Sequence, residues 1–326
     1  MMNFFPSTLR FIALLPIATV AMLYSGILFV LYSNATPGIS RTAINVLTQR
    51  YLCHSTGIKE DLAAQKFIRS GRIKCLSATA MDIIIAAGIA LENVTGFTVV
   101  SVPIDSNSPM ALLPFRFKFF EQALDEELDT IEQIVVLGAG FDTTTFRPSV
   151  VQAAGRRNIK IFEVDNPITQ QVKKEVVEKS GLNASHITFV PCDFEKTSWL
   201  EALSHCQEFK SKARTYFLWE GVMYYLTEKA VRETINTVAT EFPAGTSLAF
   251  DYFRLDRFAR RYLWAMRLYG EPLLSSIDTR ESQDFRETLD DFISERSDGK
   301  MRITKQGSYQ YFNQGDFGGV IKALVA

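Results

Sequence analysis

The sequence predicts an α/β protein built on a doubly wound, mostly parallel sheet. From about residue 132, short apolar runs alternate with segments of helical apolar spacing. This alternation is typical of strands joined by crossover helices, which bring parallel strands into one sheet. The predicted strands are Gln133–Leu137, Lys160–Val164, Ile187–Pro191, Thr215–Trp219 and Ser247–Tyr252, and the predicted helices between them are Ile168–Lys179, Trp199–Gln207 and Glu228–Phe242.

The composition fits one large globular domain or two small ones. The chain has 326 residues, of which 47% are hydrophobic and 22% are charged. Its formal net charge is −1, so no overall field favours a nucleic-acid partner. The four cysteines and three histidines are scattered, with neither Cys-x-x-Cys nor His-Glu-x-x-His spacing, which predicts no metal site.

Residues 41–128 read mainly as helices that precede the sheet. Thr42–Cys53, Asp61–Ile68 and Phe115–Leu128 have apolar residues at helical spacing. Met81–Leu91 is almost wholly apolar but too short to cross a membrane, so it is either a core helix or a core strand.

The N-terminus contains an uncharged stretch, Phe11–Tyr32, that is long enough to cross a bilayer as a helix. It predicts an N-terminal transmembrane helix, with residues 1–35 as anchor and linker and residues 36–326 as the globular domain. A cleaved signal peptide is the alternative, because Ser33-Asn34-Ala35 resembles a small-residue cleavage site.

The orientation of this anchor is predicted from basic residues. Arg10 alone precedes the uncharged stretch, whereas Arg41, Arg50 and Lys59 follow it. Because basic residues concentrate on the cytosolic side of a span, we expect a single-pass membrane protein with its globular domain in the cytosol.

A glycine turn follows the first predicted strand. Gly138 and Gly140 let the backbone approach a ligand closely. Thr143 stands where a dinucleotide fingerprint has its third glycine, and Asp142 would place a carboxylate near the phosphates. A cationic or neutral nucleoside therefore suits the turn better, and the sulfonium S-adenosylmethionine is the obvious candidate.

Acidic residues end the next three predicted strands. Glu163 and Asp165 share one face of the second strand, and either could accept hydrogen bonds from both hydroxyls of a ribose. Asp193 can accept from an adenine amino group, and Phe194 can cover the ring. Glu220 is placed to face an amino-acid group. Parallel strand ends meet at one edge of a sheet, so the sequence predicts one nucleoside site there.

These motifs resemble the leucine carboxyl methyltransferase family. Phe115–Phe120 resembles the family's Arg-rich helix, and Gly270-Glu271-Pro272 resembles a late element. The resemblance runs from about residue 40 to at least 290 and excludes the uncharged N-terminal stretch. The strand-end motifs that carry it are Val136-Leu-Gly-Ala-Gly-Phe-Asp-Thr143, Phe162-Glu-Val-Asp-Asn-Pro167, Val190-Pro-Cys-Asp-Phe194 and Leu218-Trp-Glu-Gly-Val-Met-Tyr-Tyr-Leu226.

The resemblance implies a class I methyltransferase, Rossmann-like fold with a seven-stranded sheet. Ser308–Phe312 and Val320–Val325 would supply the closing strands. The implied cofactor is S-adenosylmethionine, which the family places on residues from each strand end. The implied cofactor contacts are the backbone at Gly138 and Gly140 with Asp142 beside it, Asp165 at the ribose, Asp193 and Phe194 at the adenine, and Arg116 and Glu220 at the methionine end.

Tyr224 and Tyr225 are the predicted catalytic residues, because they follow Glu220 and would lie nearest the methyl group. Methyl transfer from a sulfonium needs mainly proximity and orientation. A carboxylate acceptor needs no general base, unlike a hydroxyl or an amine, and no histidine is placed as one. We therefore expect O-methylation of a carboxylate or hydroxyl, on a small molecule or a protein carboxylate.

The family resemblance implies that residues 254–300 cover the acceptor. Within them, Arg257–Tyr269 interleaves arginines with aromatic residues. This segment is either a helix that contacts the membrane surface or a lipid-like acceptor, or an amphipathic helix with a solvated basic face. Two other function classes stay open. One is a non-catalytic nucleoside-binding module of the same fold, and the other is an NAD(P)-dependent oxidoreductase, which Thr143 and Asp142 disfavour.

Overall fold

The computed structural model describes most of the chain from residue 39 onwards. The predicted transmembrane helix and the segment Arg257–Tyr269 both lie outside the described residues. Within the described part of the chain, no helix combines the length and apolarity needed to cross a membrane. The described residues are 39–73, 77–96, 100–101, 111–194, 196–254, 273–277, 285–310 and 316–326.

A seven-stranded mixed sheet forms the centre of the protein. Its order is β3-β2-β1-β4-β5-β7-β6; β1 to β5 pair in parallel, and β7 pairs antiparallel with both β5 and β6. The winding reverses at β1, which lies between β2 and β4, so the topological switch point is at β1 and β4. The strands are β1 Gln133–Leu137, β2 Lys160–Asp165, β3 Ile187–Pro191, β4 Thr215–Trp219, β5 Ser247–Phe253, β6 Met301–Gln310 and β7 Asp316–Val325.

Helices precede the sheet and connect its strands. Polar side chains start several of them: Ser40 Oγ accepts from Ala43 N at 3.1 Å, and Asp61 Oδ1 accepts from Ala64 N at 2.9 Å. The helices are α1 Arg41–Ser55, α2 Leu62–Arg69, α3 Ala78–Thr95, α4 Leu112–Asp125, α5 Pro148–Arg157, α6 Pro167–Ser180, α7 Trp199–Ser204, α8 Glu228–Glu241 and α9 Phe285–Arg296.

Both faces of the sheet are buried, which explains why its strands read as continuous apolar runs. Along β1 and β4, alternate residues enter different clusters of core side chains. Val135 and Phe217 pack on one face, while Ile134 and Tyr216 pack on the other. Charged strand residues are therefore exceptional, and each one calls for a specific partner.

Several predicted elements differ from the structure. Met81–Leu91 lies within helix α3, so the strand alternative is wrong. Helix α5 was not predicted, although Pro148 at its first position and arginines in its last turn are start and stop signals. Strand β6 begins at Met301 rather than Ser308, because this edge strand carries polar residues at alternate positions. Helix α7 ends at Ser204, before the predicted Gln207.

A buried ion pair joins helix α6 to strand β2. Lys173 Nζ lies 2.6 Å from Glu163 Oε2, and both side chains are about 1% exposed. Thr145 Oγ1 donates to the other Glu163 oxygen at 2.6 Å, and Lys173 Nζ is 3.5 Å from Ala139 O in the glycine turn. Burial raises the pKa of the Glu163 carboxyl, and the Lys173 charge opposes that rise. The Lys173–Glu163 pair thus supports the glycine turn through the contact of Lys173 with Ala139 O.

Replacing Lys173 by Met should lower the free energy of unfolding by about 3–5 kcal/mol, because it leaves a buried carboxylate without its partner. The raised pKa of Glu163 would rise further, so the unpaired carboxyl takes up a proton and the loss should be smaller at pH 5 than at pH 8. Urea denaturation at both pH values measures the change.

The matched control for this prediction is Lys229→Met. Lys229 pairs with Glu233 at 3.7 Å on the surface, where its side chain is 83% exposed, so we expect little effect. The double variant Lys173→Met with Glu163→Gln should recover part of the loss. If Lys173→Met cost no more than Lys229→Met at pH 8, the buried pair would contribute nothing to stability.

Candidate active site

The glycine turn lies at the carboxyl end of β1, beside the switch point. Gly138 has φ +70°, and a Cβ atom there would lie 2.4 Å from Val222 Cγ2. Gly140 has φ +43°, also in the left-handed region. Gly138 N donates to Val164 O at 2.8 Å, which ties the turn to β2. Both the backbone angle and the lack of space therefore require glycine at Gly138.

Of the two acids that the sequence left open in β2, only Asp165 contacts the glycine turn. Its Oδ2 accepts from Gly140 N, and its Oδ1 accepts from Asn166 N at 2.5 Å. Burial raises the pKa of Asp165, although both backbone hydrogen bonds oppose the rise. Glu163 is instead fully buried beneath the turn, paired with Lys173. The geometry favours Asp165 as the acid that faces a ligand at the turn.

A buried network of two arginines and four carboxylates lies at the carboxyl ends of β1 and β4. We call it the arginine–carboxylate network. With all groups ionised, four carboxylates minus two guanidiniums leave an excess of two negative charges. Its ion pairs are Arg50–Asp61 at 3.5 Å, Arg50–Asp142 at 2.6 Å, Arg50–Glu220 at 3.2 Å, Arg116–Glu220 at 3.0 Å and Arg116–Asp251 at 3.0 Å.

Arg116, predicted from the family resemblance, is held by two carboxylates. Its Nε donates to Glu220 Oε1, and its Nη1 donates to Asp251 Oδ2, both at 3.0 Å. Its Nη2 is buried and has no hydrogen-bond partner among the described residues. A buried donor without an acceptor is costly, and a negatively charged group placed beside Nη2 would remove that cost.

Three members of the network were not predicted as site residues: Arg50, Asp61 and Asp251. Arg50 had been considered only as a charge that follows the N-terminal stretch, yet its guanidinium is buried and stacks 4.2 Å from the centroid of the Phe117 ring. A signal was present, since Arg50 lies on the same helical stripe as the buried Leu47 and Tyr51. Asp251 is the lone acid in the apolar strand β5.

Charge and burial oppose each other within the network. Burial raises the pKa of Glu220, even though Arg50 and Arg116 favour its ionised form. Burial would also raise the pKa of Asp142, but the charges of Arg50 and Lys173 outweigh it and lower that pKa. Arg50 therefore balances the negative charge of Asp142, the carboxylate that was expected to repel a phosphate.

The carboxyl end of β3 is more exposed to solvent than the arginine–carboxylate network. Asp193 pairs with Lys196 at 2.8 Å, and the Asp193 side chain is 27% exposed. Phe194 is half-buried against the core. Cys192 N donates to Asp165 O at 2.8 Å, so this end lies next to Asp165. An adenine ring at this position would have one edge toward solvent.

Tyr224 and Tyr225 lie in a short 3-10 turn, Met223–Tyr225, directly after β4. Arg116 Nη1 lies 3.4 Å from the Tyr224 hydroxyl, and the Tyr224 ring packs 4.7 Å from Tyr225 and 4.6 Å from Phe253. Burial raises the pKa of Tyr224 well above its ordinary value, so its hydroxyl stays protonated at neutral pH. Tyr224 can orient a neighbouring group but is a poor base.

The family can be assigned once this geometry is set beside known proteins. The model of the family described as leucine carboxyl methyltransferase matches residues 39–239. The chain belongs to this family. The resemblance of the strand-end motifs is thus confirmed. The matched residues include Arg50, Arg116 and every predicted site residue, whereas Asp251 follows them.

Curated relatives match a shorter part of the chain. YktD of Bacillus subtilis (strain 168) is 36% identical over 149 residues, 45% of this chain and 46% of YktD. FRAAL3836 of Frankia alni is 34% identical over 140 residues, 42% of this chain and 47% of that protein. Both are named as S-adenosyl-L-methionine-dependent methyltransferases, the enzyme class and cofactor that the sequence predicts. The chain spans less than half the length of these relatives.

Solved structures resemble the chain more distantly. A DUF574 family protein from Streptomyces avermitilis is 11% identical, with a TM-score of 0.48 over 66% of this chain and 84% of that one. With a TM-score below 0.5, the fold assignment rests on the strand order of this chain itself.

Proposed function

We propose that the protein transfers a methyl group from S-adenosylmethionine to a carboxylate or hydroxyl oxygen. The observation that carries the proposal is Arg116 Nη2, a buried guanidinium nitrogen left without a partner inside the arginine–carboxylate network. A ligand carboxylate would complete the hydrogen bonds of Arg116. The remaining excess of negative charge suits a ligand with cationic groups, and S-adenosylmethionine carries an ammonium, a sulfonium and one carboxylate.

The rest of the site fits the nucleoside part of this cofactor. Gly138 and Gly140 hold the turn in the left-handed conformation, so it presents backbone without a side chain of its own at the end of β1. Asp165 keeps lone pairs for the two ribose hydroxyls beyond its two backbone bonds. Asp193 and Phe194 would hold the adenine edge and ring. When bound, S-adenosylmethionine would supply a methyl group on a positively charged sulfur. An oxygen lone pair of the acceptor can attack the methyl carbon, so that the carbon–sulfur bond breaks and S-adenosylhomocysteine leaves as a neutral thioether.

An acceptor that is already ionised fits best. All three histidines have other partners or positions: Asp61 N donates to His54 Nδ1 at 3.1 Å, His186 Nε2 bonds Thr145 O at 2.9 Å, and His205 caps helix α7. Tyr224 stays protonated because burial raises its pKa. A carboxylate acceptor needs no general base, so we propose a carboxylate on a small molecule or a protein, with a hydroxyl as the alternative.

Calorimetry with S-adenosylhomocysteine and with NAD tests the cofactor. We expect the first to bind and the second not to bind. Asp165→Ala should weaken S-adenosylhomocysteine at least about tenfold, because the ribose would lose a charged acceptor. Glu233→Ala, at a 63% exposed side chain far from this network, is the control and should bind normally. Preferred binding of NAD would instead indicate an oxidoreductase.

Methyl transfer itself separates an enzyme from a non-catalytic nucleoside-binding module. Incubation of a cell extract with the protein and methyl-labelled S-adenosylmethionine should label a product in a time-dependent way. If the acceptor is a carboxylate, mild alkali should release the label as methanol, because methyl esters hydrolyse and methyl ethers do not. Alkali-stable label would favour the hydroxyl alternative, and cofactor binding without any labelled product would favour the binding module.

We also propose that Phe11–Tyr32 anchors the chain in a membrane with the catalytic domain in the cytosol. Support comes from the uncharged stretch and from the basic residues that follow it. Expressed in eukaryotic cells, the protein should stay in the membrane pellet after an alkaline wash. Its mass should not change with glycosidase, despite the triplets at Asn93 and Asn183. A glycosidase shift would reverse the topology, and release by alkali would exclude the anchor.

A further inference from the structure

Asp251 is a buried charge that the sheet itself does not need. It lies in β5 among apolar residues and is 0% exposed. A carboxylate at such a position costs several kcal/mol of desolvation unless its oxygens are bonded. Its register partner in β7, Val320, is apolar and supplies no charge to it. The reason for its presence must therefore lie in the groups that its two oxygens contact.

Each Asp251 oxygen accepts a hydrogen bond from a different segment of the site. Oδ1 accepts from Gly221 N at 2.6 Å, and Oδ2 accepts from Arg116 Nη1 at 3.0 Å. Gly221 directly follows Glu220 and has φ +74°. One side chain thus fixes the backbone turn that carries Glu220 and the guanidinium of helix α4 that pairs with it.

This arrangement decides which nitrogen Arg116 presents. Glu220 takes Nε and Asp251 takes Nη1, so the guanidinium plane is fixed at two of its edges. The third group, Nη2, lies 3.7 Å from where a Cβ of Gly221 would be, and it has no partner among the described residues. Without Asp251, the guanidinium would keep the Glu220 contact at Nε and only the longer, 3.4 Å contact of Nη1 with the Tyr224 hydroxyl, which would hold its plane less firmly.

We propose that Asp251 is a positioning residue that sets the affinity for the amino-acid end of the cofactor by orienting Arg116, both directly and through the Gly221 turn that carries the Arg116 partner Glu220. This inference rests on the proposed function. Asp251 lies behind Arg116: its side chain is 0% exposed, and both of its oxygens accept from protein donors. Its influence should therefore be confined to ligands that carry the amino-acid group, and it should disappear when Arg116 is absent.

The test compares two ligands by calorimetry on the full chain. S-adenosylhomocysteine carries the amino-acid group, and 5′-methylthioadenosine is a nucleoside without it. Asp251→Asn should weaken the first about tenfold or more, the scale of one charge-assisted hydrogen bond, and leave the second within about twofold. Asp251→Glu keeps the charge but has a side chain longer by one methylene, so it should also weaken S-adenosylhomocysteine and leave 5′-methylthioadenosine unchanged. It serves as the test if the Asp251→Asn variant does not fold.

A double-mutant cycle with Arg116→Gln tests the route of the effect. If Asp251 acts through Arg116, adding Asp251→Asn to Arg116→Gln should cause little further loss of S-adenosylhomocysteine affinity. Unchanged affinity in Asp251→Asn, equal weakening of both ligands, or additive losses in the double variant would each overturn the proposal. Failure of the wild-type protein to bind S-adenosylhomocysteine would instead refute the proposed function.

Discussion

The ion pairs of two buried arginines hold the site together. Arg50 comes from helix α1 and Arg116 from helix α4, and both pair with Glu220 at the end of β4. The helices that precede the sheet are thereby fastened to its switch point by charge as well as by apolar packing. Because removal of one partner leaves the others buried and unpaired, the network acts as a unit, and single substitutions in it will not give additive effects.

A network of this kind is a poor way to gain stability. Desolvation of six ionised groups offsets most of their attraction, and apolar residues of the same shape could serve the fold as well. What apolar residues cannot supply is an oriented donor such as Arg116 Nη2, which has no partner in the described part of the chain and lies beside carboxylates that exceed the arginines by two. The desolvation cost of the network is offset if a ligand with both cationic groups and a carboxylate binds to it.

Local signals made much of this structure predictable from sequence. The apolar runs of β1 and β4 match the structure at both ends, because strands buried on both faces leave an unbroken pattern. The run of edge strand β3 also matches at both ends, although this strand is only partly buried. The turn at Gly138 was predicted from another local signal, the two glycines that follow the first apolar run. Arg50 and Asp251 escaped prediction because their partners are far away in sequence, and only the fold brings Arg50 to Asp142 and Glu220. The pairing of Glu163 with Lys173 beneath the turn was likewise not predicted from the sequence.

Arg50 also changes the physical basis for excluding a phosphate ligand. From the sequence, Asp142 alone was expected to repel phosphates beside the glycine turn. In the structure Arg50 lies 2.6 Å from Asp142, so this carboxylate is balanced, and an arginine near a glycine turn would by itself attract a phosphate. Asp61 and Glu220 share the same guanidinium, however, and leave it little free charge. Any selection against dinucleotides would therefore depend on the summed charge of the network rather than on Asp142 alone.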